Sequence, residues 1–388
     1  MTRLIGQEST FMHDQCIDGT LVIELAEGWC AAAIAGRLLS ELGARVVKVE
    51  PPAGDRLRGQ PPDAANGASP AFQNLNANKE SIALKPDCAL LFELIGAADV
   101  LLTDKTTLDD WGLALADAEI TARNPALITC HFSPFGRSGA LAGRPGGELI
   151  AQAMGGIVAT TGHPGALPHR AGPPLAAHNA ALLGGAALCA ALFERQRSGE
   201  GTIIDMADYD ASVSLLYTFL PAYFLSGDAP GAMGNKHMMV APWDNYPTKD
   251  GWVIVCVANN RQWQDFLKLM GRGDLLDDPR FATNDERVSA QYRPLVDGLV
   301  IDYLAGRMTR EAITELRAHN IPAGPILDLP GLLDDPHFSA RDMVQSFDDP
   351  VKGRHLTAGS IFKMSETPGC VHSPAPALDQ HGDLGDGS

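Results

Sequence analysis

The chain has 388 residues, of which 45% are hydrophobic and 20% charged, and its length exceeds what one hydrophobic core organises, so two domains are expected. A formal charge of −17 argues against nucleic acid and anionic membranes as partners, and it makes any anionic ligand depend on local Arg, Lys or helix N-termini. With no run of about 18 apolar residues, no apolar signal core at the N-terminus and seven scattered cysteines lacking a CxxC pair, the chain reads as a cytoplasmic protein with reduced thiols.

Gly19–Leu25 (GTLVIEL) has the length and β-branched content of a buried strand. Ala31–Leu42 carries helical spacing of apolar residues, with Gly43 as its stop, and Arg45–Glu50 (RVVKVE) is a second strand ended by Pro51 and Pro52. Strand, helix and strand at this spacing make a βαβ unit, hence parallel pairing and a Rossmann-like α/β sheet. No G-x-G-x-x-G follows the first strand, which argues against a dinucleotide cofactor. Gly28 and Trp29 occupy the first βα turn, outside the carboxyl ends of the strands, where such sheets hold ligands. Their neighbour Cys30 reads as a small buried hydrophobe.

Leu90–Ile95 is helical, and Ala98–Leu102 and Ala126–Phe132 are further strands, with His131 near the end of the latter. The Pro/Gly-rich stretch after Gly162 is a loop, followed by a long helix of small residues from Leu175 to Arg197 that has a basic last turn and Gly199 as its stop. So much Ala and Gly suits close packing in an interior. Free backbone N–H groups are expected near Leu175–Asn179, where the positive end of the helix faces an incoming anion. Thr202–Met206 is the next strand and leads into a second helical segment.

Composition then shifts. Leu225–Pro242, with Met233, Met238 and Met239, is a linker or loop by its composition, and the Met cluster suits adaptable packing. Trp252–Ala258 is a strand, Arg261–Met270 and Thr309–Ala318 are helices, and the tail after Thr367 is loosely held by its composition. The domain expectation is therefore a large domain over 1–224, a small one with linkers over 225–340, and a return segment with tail over 341–388.

Several motifs carry a resemblance. Leu42–Asp55 (LGARVVKVEPPAGD) with Arg58, Phe72–Leu84 (FQNLNANKESIAL), Arg144–Gly156 (RPGGELIAQAMGG), and the set Arg170, Gly172, Ala176, Arg195, Ser198–Gly201 and Asp205 together resemble the class III CoA-transferases. The resemblance runs over about residues 18–382. It implies a Rossmann-like large domain, a smaller α+β domain, and an interlocked, ring-like dimer with active sites between subunits. It also implies transfer of CoA between acids through acyl-aspartyl anhydride and aspartyl-CoA intermediates on one aspartate.

At the position matching that aspartate the chain has Ala177, followed by His178. A histidine offset by one position on a helix points about 100° away. Other departures face the same site. Thr103, Asp104, Lys105, Thr106 and Thr107 replace the phosphate-contacting loop and are two residues shorter, with Asp109 and Asp110 following. A carboxylate beside a pyrophosphate is repulsive by roughly a kcal/mol per close pair. Ser133-Pro134-Phe135-Gly136 places proline where the family has glycine, which removes a backbone N–H. Glu148 stands where an aspartate is common, and Gly146 and Gly147 supply no histidine for racemase chemistry.

The resemblance thus implies a CoA-transferase subunit with a pseudo-active site, in a heteromeric enzyme whose related partner brings the aspartate. Its substrates would be a CoA thioester such as succinyl-CoA and an organic acid, aromatic succinates among the candidates. Gly28, Trp29, Leu84, Asp104 and Phe135 would line the CoA site, with no permanent cofactor and no metal. The alternatives are a self-sufficient acyl-CoA isomerase or lyase using His178 or Glu148, and a non-enzymatic structural or regulatory partner.

Overall fold

A computed structural model describes residues 15–61, 69–85, 89–104, 117–229, 231–349 and 353–382. The chain divides into two compact units: Met1–Val158, Arg170–Ala229 and His337–Ser388 form one, and Ala159–His169 with Pro230–Pro336 form the other.

The first unit is built on six parallel strands: β1 (Leu21–Leu25), β2 (Arg45–Glu50), β3 (Glu80–Ala83), β4 (Val100–Thr103), β5 (Ile128–Ser133) and β6 (Ile203–Ala207). Their order is β3-β2-β1-β4-β5-β6, the doubly wound arrangement, with its switch point between β1 and β4. Near-continuous apolar runs allow both faces to be covered, as a parallel sheet requires. On one face Val22, Val46, Val100 and Phe132 pack with Ala32 and Ala35 of α1 (Ala31–Glu41) and with Ala180 and Leu188 of the long helix described below. On the other, Ile23, Val47, Ile82 and Leu101 pack with Leu91, Leu94 and Ile95 of α3 (Ala89–Ala97) and Ile120 of α4 (Asp117–Arg123).

The family-like stretch from Phe72 onward folds as α2 (Pro70–Asn76), whose N-cap Ser69 accepts from Phe72 N, followed by β3. After β5 come α5 (Glu148–Met154), α6 (Ile157–Thr160) and α7 (Leu175–Ser198), which ends on Gly199 at φ +74° as its small last residue suggests. β6 then leads into α8 (Asp208–Ser214) and α9 (Phe219–Ser226).

Two expectations need correcting. The helix α7 is not wholly interior: Ala176, Ala180, Ala181, Gly184 and Leu188 are buried, whereas Leu182, Leu183 and Phe193 are exposed. Its apolar residues run all round it while the sheet covers one side only. It is also, at 24 residues with a mean hydropathy of 1.6, long and apolar enough to cross a membrane by length and composition, contrary to the expectation of no such segment; in this fold it lies against the sheet and α1.

The tail is also firmly held. Ser81 N donates to His381 Nδ1 (3.1 Å), Ala83 N donates to Asp379 Oδ1 (2.8 Å) and His381 N donates to Ser81 O (3.0 Å), so the tail satisfies the outer edge of β3. Further back, Asn78, at φ +65°, accepts from His372 N and Ser373 N and donates to the Cys370 carbonyl. An unpaired sheet edge is a strong partner, and composition alone does not reveal it.

The second unit has a three-stranded antiparallel sheet in the order β7-β8-β9, from Trp243–Pro247, Trp252–Cys256 and Ala323–Pro325. Helices α10 (Asn260–Leu269), α12 (Arg293–Leu304) and α13 (Thr309–Ala318) cover one face through Trp263, Phe266, Val296, Val300 and Leu316, with α11 (Asn284–Val288) between α10 and α12.

Candidate active site

The carboxyl ends of β1 and β4 bring Gly28, Trp29 and Asp104 together at the switch point. Gly28 has φ +78°, and a Cβ there would lie 2.5 Å from Arg56 Nε, so the turn requires glycine. Its N–H donates to Asp55 Oδ1 (2.9 Å), and Glu27 N donates to Asp104 Oδ2 (3.3 Å).

Beneath the turn lies a buried charge network. Lys48 Nζ contacts Glu24 Oε1 (3.1 Å) and Asp55 Oδ2 (2.9 Å), and it donates to the Ala26 carbonyl (2.6 Å). Lys79 Nζ contacts Glu24 Oε2 (2.7 Å) and donates to Ala33 O and Asn76 Oδ1. Two carboxylates balance two ammoniums, as burial demands. The lysines nonetheless diverge. Burial alone would depress Lys48, but Glu24 and Asp55 together push it up. Burial drives Lys79, which has only the shared Glu24, down to about 8. Asp55 is held low, because Lys48 and the N–H groups of Leu57 and Gly28 outweigh its burial. Sequence reading took Asp55 and Lys79 only as family markers; their shared role in holding the first βα turn needed the fold.

Trp29, 39% exposed, faces His178, with ring centroids 5.9 Å apart. His178 is on the exposed side of the first turn of α7, its Nδ1 2.9 Å from the Pro174 carbonyl. Ala177 is buried. The expected free N–H groups at this end are already occupied: Glu148 accepts from Ala176 N at Oε1 (2.9 Å) and from Ala177 N at Oε2 (3.0 Å). A carboxylate there meets both unpaired donors and the positive end of the helix. Gln152, one turn along α5, donates to Glu148 Oε1 (2.6 Å) and accepts from Ala171 N (3.0 Å). Glu148 and His178 therefore share one helix end, with Trp29 over its outer side.

Phe135 follows β5 and is half-buried against Tyr209, with ring centroids 6.4 Å apart. Leu84 lies at the carboxyl end of β3 but is buried with Ile82 and Leu91 on the sheet face away from α7. His131 is buried with Nε2 3.2 Å from Asp117 Oδ1, and Asp117 also pairs with Arg137 (2.6 Å). Lys105, Thr106, Thr107, Asp109 and Asp110 lie outside the described residues, as does Cys88. The six described cysteines are free, and burial pushes the Cys30 thiol up to about 12, which makes it a poor nucleophile. No group of three or more His, Cys, Asp or Glu among the described residues has the arrangement of a metal site. Asp208, at the start of α8, escaped sequence reading altogether; burial and the nearby Glu148 raise it to about 7.

Comparison with known proteins bears on this geometry. The family profile described as CoA-transferase family III matches residues 17–382. A similar protein is the succinyl-CoA–D-citramalate CoA-transferase of Chloroflexus aurantiacus, 33% identical over 94% of this chain and 92% of that one. Another, the succinyl-CoA–L-malate CoA-transferase alpha subunit of Chloroflexus aurantiacus, is 27% identical over 93% of this chain and 86% of its own. The crystal structure of a CAIB/BAIF family protein from Brucella suis superposes with a TM-score of 0.84 at 33% identity, covering 96% of this chain and 98% of that one. With the doubly wound sheet, the smaller unit and the motif set all accounted for, the chain belongs to the CoA-transferase family III.

Proposed function

We propose that this chain is the non-nucleophilic subunit of a heteromeric class III CoA-transferase of the cytoplasm. It pairs with a related chain, in the linked-ring manner its family resemblance implies, and moves CoA from an acyl-CoA donor such as succinyl-CoA to a carboxylic acid. The observation that carries this reading is Ala177 at the position of the family's aspartate: a methyl group cannot attack a thioester. The partner's aspartate attacks the donor thioester and expels CoA as thiolate, leaving an acyl-aspartyl anhydride. The thiolate returns to the aspartyl carbonyl and releases the donor acid. The acceptor carboxylate then attacks the resulting aspartyl-CoA thioester and expels CoA thiolate, forming a second mixed anhydride; the thiolate attacks the acceptor acyl carbon of that anhydride, giving the new CoA thioester and releasing the aspartate as carboxylate.

The similar alpha subunit of a malate transferase supports a two-chain enzyme, and the succinyl-CoA-dependent relatives support the donor class. CoA enters as a substrate, with Gly28, Trp29, Asp104 and Phe135 as its proposed contacts. Leu84, buried in the sheet core, contributes to their support at most. The exposed apolar sides of α7 and α9, including Phe193 and Phe224, suit coverage by the partner.

The test is reconstitution. Alone, the purified chain transfers no CoA from succinyl-CoA to dicarboxylic or arylsuccinic acids; mixed with a related chain carrying the aspartate, it does. Turnover by the isolated chain that His178→Ala or Glu148→Gln abolishes overturns this reading in favour of a self-sufficient enzyme. A complex whose activity is unchanged when this chain is omitted overturns it in favour of a structural partner.

A further inference from the structure

Glu50 closes β2 with its side chain fully buried, and donors from three places converge on it. Arg58 Nε donates to Oε2 (2.7 Å) and Arg58 Nη2 to Oε1 (2.6 Å). Ser81 Oγ donates to Oε1 (2.6 Å) and Asp55 N to Oε2 (2.9 Å). Although burial opposes its charge, Arg58, Ser81 and the Asp55 amide together hold Glu50 below the usual carboxylate range. A buried carboxylate with both oxygens so occupied has one orientation.

On one side this carboxylate carries the first βα turn. Asp55 caps the 3-10 helix Arg56–Gly59, and its Oδ1 accepts from Leu57 N (2.7 Å) and Gly28 N (2.9 Å). Arg56, the next residue, lies over Gly28 and donates to the Glu27 carbonyl (3.3 Å). On the other side stands the C-terminal tail. Arg58 Nη1 donates to the Pro376 carbonyl (3.1 Å), while the ring of Phe72 backs the same guanidinium at 3.9 Å. Asp379 N donates to Ser81 Oγ (3.2 Å), which fixes the direction in which that hydroxyl gives its own proton to Glu50. Tail and turn therefore meet at Glu50 through an unbroken series of hydrogen bonds.

We propose that the C-terminal tail is a strap that sets the first βα turn, acting through Ser81, Arg58 and Glu50 on Asp55. Glu50 and Ser81 are positioning residues, buried beneath the turn rather than lining it. With the tail seated, Ser81 and Arg58 are each held from behind, and Oε2 of Glu50 stays aligned on Asp55 N. With the tail released, the hydroxyl and the guanidinium regain their freedom, the carboxylate turns, and Asp55 no longer offers Gly28 N a fixed acceptor. That the turn so set receives a CoA thioester rests on the transfer reading; the strap itself does not.

Amide hydrogen exchange resolved to single residues tests the strap, comparing the full-length chain with one ending at Ala375, which keeps the buried Val371 and Ala375. In the shortened chain, protection of Gly28 and Leu57 falls about tenfold while Leu101 and Leu102 of β4 stay protected. Ser81→Ala, which removes one hydroxyl and no charge, lowers the same two amides about threefold. Glu50→Gln also loosens them, and shortening the tail of that variant adds nothing, because the route through Glu50 is already broken. Unchanged protection of Gly28 and Leu57 in the shortened chain overturns the inference. So does an equal loss in β4, or a shortening effect that is the same with and without Glu50→Gln. In the reconstituted enzyme Ser81→Ala raises KM for succinyl-CoA about fivefold and leaves kcat within about twofold. A loosened turn with unchanged KM overturns the link from strap to ligand. An assembly that takes no CoA thioester overturns the transfer reading instead, and the protection pattern alone then decides the strap.

Discussion

Replacing Glu24 by glutamine keeps the shape of a fully buried side chain but deletes the charge that two lysines share. Lys48 retains Asp55 at 2.9 Å, whereas Lys79 is left with the Asn76 side chain and the Ala33 carbonyl. One buried positive charge then lacks a counter-charge, and breaking such a pair costs about 3–5 kcal/mol. The Lys79 share is limited. Its ammonium is already depressed to about 8, so shedding the proton at pH 7 adds only about 1.4 kcal/mol. Lys48 keeps Asp55 but loses its second carboxylate, which supplies the remainder. For a domain of this size the sum lowers the melting temperature by about 10 °C.

The pH dependence gives a second check. A lysine with a lowered folded pKa makes the unfolded state the better proton binder, so stability rises with pH above the folded value. In Glu24→Gln that rise starts below the wild-type value of about 8, so the deficit narrows between about pH 7 and 8.5. Thermal and urea denaturation across this range measure both effects. A melting temperature within about 2 °C of wild type, or a deficit independent of pH, would refute the claim that Glu24 neutralises both lysines.

Gly28→Ala forces a Cβ onto Arg56 in a left-handed turn; a stability loss of about 1–3 kcal/mol is expected by denaturation, with weaker binding of CoA thioesters to the assembled enzyme by titration calorimetry. Asn78→Ala removes three hydrogen bonds to the return segment, so limited proteolysis after about residue 369 should accelerate and stability should drop by about 2–4 kcal/mol. Asp208→Asn should stabilise the chain progressively as pH rises. The wild-type carboxyl, raised to about 7, favours folding fully only below its unfolded value and loses that contribution as pH climbs through 7, an effect of up to about 4 kcal/mol in chemical denaturation. In the reconstituted enzyme His178→Ala should alter kcat less than about threefold, because under the proposed function the attacking group is the partner's aspartate; a loss of about a hundredfold or more would assign it a proton-transfer role.

Much of the scaffold was legible in the sequence because its signals are local. Arg45–Glu50 is β-branched between a glycine and two prolines, and it forms β2 with those bounds. The long helix announced its end through two arginines and Gly199. Loci that depend on distant partners were not legible. Nothing local to Asp379 and His381 shows that they will meet Ser81 and Ala83 at a sheet edge. The end of α7 was read as open because its own donors are unpaired in sequence; the group that fills it, Glu148, lies 28 positions from Ala176. Asp208 gave no signal, since an acidic residue at a helix start is ordinary until packing removes its water. Gly28 and Trp29 were legible as site neighbours because a parallel sheet holds ligands outside the carboxyl ends of its strands, whereas Asp104 came only through the family resemblance.

The most direct test concerns where the covalent intermediate forms. The reconstituted enzyme is incubated with succinyl-CoA, the aspartyl thioester is trapped with borohydride or hydroxylamine, and both chains are weighed and mapped by mass spectrometry. The proposed function, in which Ala177 stands in place of the attacking aspartate, predicts a modified aspartate on the partner and an unmodified peptide spanning Arg170–Arg195 here. A trapped adduct on this chain, at Glu148 or any other residue, would contradict the assignment.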